Sequence, residues 1–203
     1  MRPELLKTVQ AQLDEIRIPE ACVTFWRVFS FDEKTGEIKM MVAQNNIIPY
    51  QGADVMARIL AGDATWVPRA MFFEFENTAG VPTVPTPARD EGIDYFLTTL
   101  PLTPTKDYLR IPLVVSPSLS ASSANYDGNQ ATFFAVSAGL TGIHGRTFDS
   151  SVNSKVYGVA LAATPEVAQY TSDRLFSRSY LGFSPIPKED GYQIGAQYLI
   201  RFM

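Results

Sequence analysis

The stretch that decides the fold is 192–202, YQIGAQYLIRF. Tyr192, Ile194, Ala196, Tyr198, Ile200 and Phe202 share one parity, and Gln193, Gly195, Gln197 and Arg201 share the other, with Leu199 as the exception. A period of two that divides apolar from polar residues predicts a half-buried antiparallel strand. Working outward, the same signal recurs. The run 22–31 (CVTFWRVFSF) sets Trp26 and Val28 against Phe25 and Phe29, and 37–43 (EIKMMVA) resumes after the polar break 32–36, which predicts a hairpin with a glycine-containing turn. Further strands are expected at 70–75, 94–99, 108–115, 130–138, 155–163 and 174–181. Pro112 pushes the 108–115 strand toward a sheet edge or a bulge. The segment 116–125 is small and polar and reads as a connection. Asp127-Gly128 makes a turn.

Two segments break the pattern. In 3–17, Leu5, Leu6, Val9, Leu13 and Ile16 recur at three- and four-residue spacing, with Pro3 tolerated in the first turn and Pro19 stopping the helix. A second helix is expected at about 51–61, with Ala53, Met56, Ala57 and Leu60 on one side, Val55 and Ile59 beside them, and Gly62-Asp63 at its end. About nine strands and two helices, with no βα alternation, predict a mainly β fold: an antiparallel β-sandwich or jelly roll with an N-terminal amphipathic helix and one short internal helix. The expected organisation is a helical segment at 1–20 and a single sandwich domain at 21–203. Proline at 82, 85 and 87 marks an extended loop.

Composition bounds the function. The 203 residues are 46% apolar and 19% charged, enough for a packed core. No run approaches the roughly 20 apolar residues of a membrane helix, and the first residues lack the apolar core of a signal peptide, so neither membrane nor secretory leader is expected. A net charge of −4 argues against a broad nucleic-acid footprint. With one cysteine, Cys22, no internal disulfide forms, and Cys22 reads as a small core residue. The single histidine, His144, sits between glycines and leaves little room for an imidazole base or a metal site; no metal or cofactor is expected. There is no G-x-S-x-G elbow, P-loop, EF-hand or G-x-G-x-x-G. Paired acids such as Glu74 and Glu76, Asp90-Glu91 or Glu189-Asp190 are what any chain with 21 acidic residues contains, so the chain reads as a non-enzyme.

Three stretches carry a resemblance. Asn45-Asn46-Ile47-Ile48 with Gly52-Ala53 and Leu60-Ala61-Gly62-Asp63 forms the first, and 129–136 (NQATFFAV) the second. The third runs from Leu175-Phe176-Ser177-Arg178 through 183–188 (FSPIPK) to the closing strand. Together, over roughly 40–203, they resemble structural modules of tailed-bacteriophage particles, of the tail-fibre or capsid-decoration kind. The resemblance implies a virion β-sandwich without catalytic residues, made in the host cytoplasm, self-assembling and binding other capsid or tail proteins. The N-terminal helix and the proline-rich stretch depart from the pattern and leave the location in the particle open.

Within that reading the expected assembly interface is Leu5, Leu6, Val9, Leu13 and Ile16, an apolar stripe outside the strand series, joined by Trp66 and Arg69, residue types that dominate contact hot spots. Deleting 1–18 is then expected to leave a folded β domain that no longer assembles. The alternative is a carbohydrate- or receptor-binding module that stacks sugars on Trp66, Tyr126 or Tyr180. A third reading, a glycan-cleaving enzyme, would rest on Glu74 or Glu76.

Overall fold

The structure is a computed structural model, and it describes residues 1–16, 24–44, 46, 48–75, 108–116, 120–137, 154–165, 173–181 and 184–201. The described chain is mainly β, with two helices: α1 (Pro3–Asp14), β1 (Thr24–Asp32), β2 (Ile38–Gln44), α2 (Tyr50–Leu60), β3 (Val67–Phe75), β4 (Tyr108–Pro112), β5 (Val114–Val115), β6 (Ser122–Asp127), β7 (Gln130–Val136), β8 (Ser154–Thr164), β9 (Arg174–Tyr180), β10 (Ile186–Lys188) and β11 (Tyr192–Arg201). The strand expected at 94–99 and the proline-rich stretch lie outside the described residues. So do Cys22 and His144. Two strands were not legible in the sequence: β6, inside the small polar segment, and β10, three residues long.

The strands form two sheets. Sheet A has the order β2-β1-β11-β7-β6-β5. Sheet B has the order β10-β8-β3-β4, with β9 also paired to β8. Tyr180 lies opposite Gly158 and Ile186 opposite Val156, so β9 and β10 follow one another along the same edge of β8. Trp26, Val28, Ile194, Ala196 and Tyr198 of sheet A meet Met71, Phe73, Val159, Leu161 and Ile111 of sheet B in one buried cluster. Both edges of this sandwich-like body are tied. At one, the chain crosses from β4 in sheet B to β5 in sheet A through buried Leu113, whose N–H donates to the Arg69 carbonyl at 2.7 Å. Pro112 therefore stands at a sheet edge, where its missing N–H removes no ladder bond. At the other, the Gln44 amide of β2 donates to Ser179 Oγ (2.5 Å) and the Tyr180 carbonyl (2.7 Å) of β9.

Sheet A has a second apolar face. Phe29, Phe31, Phe134 and Val136 form a cluster with Val9 and Leu13 of α1, all fully buried. Consequently β11 is not half-buried as its alternation suggests. Its polar parity, Gln193, Gly195 and Gln197, is also buried, because α1 and the Phe29 ring lie over that side. Gly195 is required there: a Cβ would stand 2.4 Å from the Phe29 ring. Helix α1 is seated on the β1–β2 turn by Gln12, whose amide donates to the Gly36 carbonyl (2.9 Å) and accepts from the Ile38 N–H (2.9 Å). The Asp32 carboxylate shapes the turn by accepting the Lys34 and Thr35 N–H groups at 2.8 Å, which holds its pKa below the ordinary range. The Gln12→Ala variant is expected to lose about 1–2 kcal/mol, since it removes two hydrogen bonds and orphans two backbone groups. Chemical denaturation measures it, and an unchanged midpoint would contradict the seat.

Candidate functional site

The three stretches that carry the resemblance, far apart in sequence, meet in the folded chain. The Asn46 amide donates to Ser177 Oγ (2.9 Å) and to the Tyr198 hydroxyl (3.0 Å), and its carbonyl accepts from Thr24 Oγ1 (2.5 Å). Ser177 Oγ also accepts from the Trp26 indole N–H at 3.3 Å, beneath the Trp26 and Tyr198 rings, whose centroids are 4.7 Å apart. Asn46 thus joins β1 and β11 of sheet A to β9 of sheet B. The second stretch, β7, pairs with the closing strand along its length, from Val136 opposite Gly195 to Gln130 opposite Arg201.

Burial pushes the Tyr198 hydroxyl up to about 12, against the pull of its hydrogen-bond partners. The unfolded phenol ionises near 10. An acid whose folded pKa is raised contributes its full stability below the unfolded value and loses it as pH rises through the folded one. Stability is therefore expected to fall by about 2–3 kcal/mol between pH 10 and 12, and Tyr198→Phe should flatten that fall. Alkaline denaturation curves of the two proteins read the difference directly.

Helix α2 is positioned by the same junction. Leu175 N–H, on the outer edge of sheet B, donates to the Gln51 side-chain carbonyl at 3.0 Å, so the helix covers a strand edge that would otherwise be open. Gly52 lies against Phe176, where β9 is offset by an irregularity in its pairing with β8. Val55 is fully buried and Met56 packs on the main core. The Asp54 carboxylate accepts from Arg58 (2.8 Å) and Arg174 (2.9 Å), and the Arg174 guanidinium lies 4.1 Å from the centre of the Trp66 ring.

The burial of α2 picks a face that the sequence left open. Ala53, Ala57 and Leu60, read as part of one apolar side with Met56, face away from the body. Gly52 and Val55 face inward. The reason is Gly52: without a Cβ, the helix can approach β9 closely, and that contact fixes its rotation. The outward face then carries Tyr50 (62% exposed), Ala53, Ala57 and Leu60 (88% exposed), spaced by three, four and three residues. The legible signal was Gly52 one turn ahead of Val55, which a reading by apolar residues alone passes over.

The expected interface residues divide. Val9 and Leu13 are buried within their own chain, while Leu5 and Leu6 are half-buried on the same helix and Ile16 is half-buried just past its end. The Ile16 carbonyl accepts from the buried Arg27 guanidinium at 2.5 Å, and Arg27 also donates to Gln197 at 2.9 Å. Trp66 is half-buried against the main core, with Arg174 on its ring. Arg69 is half-buried at an irregularity of β3, and its carbonyl anchors Leu113. Trp66 therefore adjoins α2 through Arg174, whereas the α1 stripe belongs to sheet A.

Glu74 does not stand free as a catalytic acid would. Its carboxylate accepts from Arg178 at 2.7 Å, almost fully buried, and a Cβ on Gly158 would stand 2.5 Å from its oxygen. On the same face of sheet B, Arg110 grips Asp173 in a two-pronged ion pair at 2.6 and 2.9 Å with both side chains fully buried. Burial pushes both carboxyls above their ordinary range, against the pull of the arginines. Glu76, Asp90 and Glu91 lie outside the described residues. Glu189 pairs with Lys39 at the surface. Among the described residues no group of three His, Cys, Asp or Glu side chains could hold a metal ion, and no helix is long and apolar enough to cross a membrane. Of the sugar-stacking candidates, Tyr126 is 73% exposed and Tyr180 is half-buried.

Set beside known proteins, the chain matches no family model, no curated protein and no solved structure.

Proposed function

We propose that the chain is a non-enzymatic structural component of a tailed-phage virion, a module that attaches to capsid or tail proteins and self-assembles through protein–protein contacts. The observation that carries the assembly reading is the outward face of α2. A helix in a well-packed domain normally turns one apolar face inward and a polar one outward; here Tyr50, Ala53, Ala57 and Leu60 face solvent on a helix fastened rigidly from behind. The virion assignment draws support from the convergence of the three resembling stretches on one junction, where Asn46 and Gly52 touch Ser177 and Phe176. That contact makes them parts of one unit. The sandwich reads as a jelly roll, an assignment supported by the pairing of β1 with β11, the first and last strands, inside one sheet.

The assembly surface proposed here is α2 with Trp66 at its flank, in place of the α1 stripe. Deleting 1–18 would uncover Phe29, Phe31, Phe134 and Val136, so the truncated chain is expected to be destabilised and to aggregate. Circular dichroism melts check this; an unchanged melt would return α1 to the role of a free assembly arm.

The test of the proposal is location. Particles released by the genome that encodes the chain are labelled with an antibody against it and viewed by electron microscopy. Label at a fixed site on head or tail is expected. Unlabelled particles, with the protein recovered wholly in the particle-free fraction, would overturn it. A second reading, glycan binding, draws support from Tyr126, whose ring stands exposed beside the Gly128 turn. Loss of glycan-array signal in Tyr126→Ala would favour it, and a blank array for the unaltered chain would remove it.

A further inference from the structure

We infer that α1 is a strap that lifts from sheet A while the sandwich beneath it stays folded, and that the buried Arg27 guanidinium is the counterweight that makes it releasable. The helix is joined to the body at few points. Val9 and Leu13 are fully buried against Phe29, Phe31, Phe134 and Val136. Gln12 makes its two bonds to the β1–β2 turn, and just past the helix the Ile16 carbonyl accepts from Arg27. The side chains of Thr8 and Gln10 bond within the helix itself, and among the described residues no ion pair ties α1 to a strand. A helix of 12 residues is marginal on its own in water, so lifting it from the sheet also unwinds it.

Arg27 stands directly opposite Gln197 in the pairing of β1 with β11, and only 2% of it is exposed. Its two acceptors, the Ile16 carbonyl and the Gln197 side-chain oxygen, are both neutral, and its Nε has no partner among the described residues. The carbonyl end of α1 and the Asp14 carboxylate attract the cation, Asp14 without a hydrogen bond to it. Burial outweighs Asp14, and it pushes the guanidinium pKa below its ordinary value. The contrast with sheet B is direct: Arg110 and Arg178 are just as buried, and each holds a carboxylate. A charge enclosed without such a partner opposes the contact that encloses it. Lifting α1 returns the guanidinium to water and uncovers the phenylalanine cluster. The apolar contact therefore favours the closed strap, and Arg27 the open one.

The experiment reads amide hydrogen exchange of the full chain, residue by residue, at low denaturant concentrations. Amides 7–14 are expected to be less protected than those of β11 by about tenfold or more, with a weaker denaturant dependence, because the opening exposes less surface than unfolding does. Gln197→Glu sets a carboxylate where the amide oxygen now accepts from Arg27 at 2.9 Å. It is expected to slow α1 exchange by about tenfold, since the buried cation gains an opposite charge. Gln197→Met, close in length and uncharged, removes the acceptor and is expected to speed it. Exchange of α1 compares the closed strap with the open one on the same sandwich, so a change in the stability of the sandwich alone would not move it. Amides of α1 that share the protection and denaturant dependence of β11 would make the helix part of one cooperative unit and overturn the strap. Unchanged or faster α1 exchange in Gln197→Glu would overturn the role of Arg27. Should that variant fail to fold, Arg27→Met takes the charge from under α1 and reads the same counterweight: slower α1 exchange supports it and faster exchange overturns it.

Discussion

Gly52→Ala will lower the melting temperature by about 10 °C, a loss on the order of 3 kcal/mol. Alanine is the better helix former by about 1 kcal/mol, so helix propensity alone predicts the opposite sign. The packing term wins because the new Cβ would stand 2.0 Å from the Phe176 carbonyl oxygen and 2.9 Å from its carbon, backbone atoms that cannot rotate aside. Relief requires α2 to lift from β9, which also breaks the Gln51 bond to Leu175 and draws Val55 out of the core. Gly128→Ala is the control. Its φ of +57° is strained for alanine, yet nothing lies within 4 Å of the added carbon, so it should lose only about 1–2 kcal/mol. Thermal melts rank the two, and a Gly52→Ala protein as stable as the parent would refute the seating of α2.

Asp173→Ala should be as damaging as any core truncation, at about 3–5 kcal/mol. Two fully buried charges compensate each other at 2.6 and 2.9 Å, and removing one leaves the buried Arg110 guanidinium, beside the Phe72 ring, without its compensating carboxylate. The pair itself adds little net stability, because desolvation offsets much of the attraction. The double variant Arg110→Met with Asp173→Leu is therefore expected to recover most of the loss. Denaturant midpoints of Arg110→Met, Asp173→Leu and the double variant complete the cycle. Additive losses would mean that the two side chains do not interact.

Strands were legible in the sequence wherever apolar density or alternation was strong. The runs at 22–31, 130–138, 155–163 and 192–202 became β1, β7, β8 and β11. Legibility failed where a second layer lies over a strand: β11 shows polar Gln193 and Gln197 on one side, and only the docking of α1 explains their burial. It failed again in β6, whose run SSANYD carries no hydrophobic alternation and is strand because β7 supplies the ladder. In α2 the apolar residues nearly encircle the helix, so periodicity could not choose the buried face; a glycine chose it. The junction around Asn46 was visible as separate words, and its bond to Ser177 links positions 131 residues apart. Buried ion pairs leave no local trace. Glu74 read as one acid among 21 until the fold placed Arg178 beside it.

The central claim is that this chain acts by binding copies of itself and its neighbours. Sedimentation equilibrium of the full-length protein tests it most directly. The account predicts a mass-average value that climbs above the monomer's as concentration rises and falls back for Leu60→Glu. A value fixed at the monomer's across the whole range would contradict it.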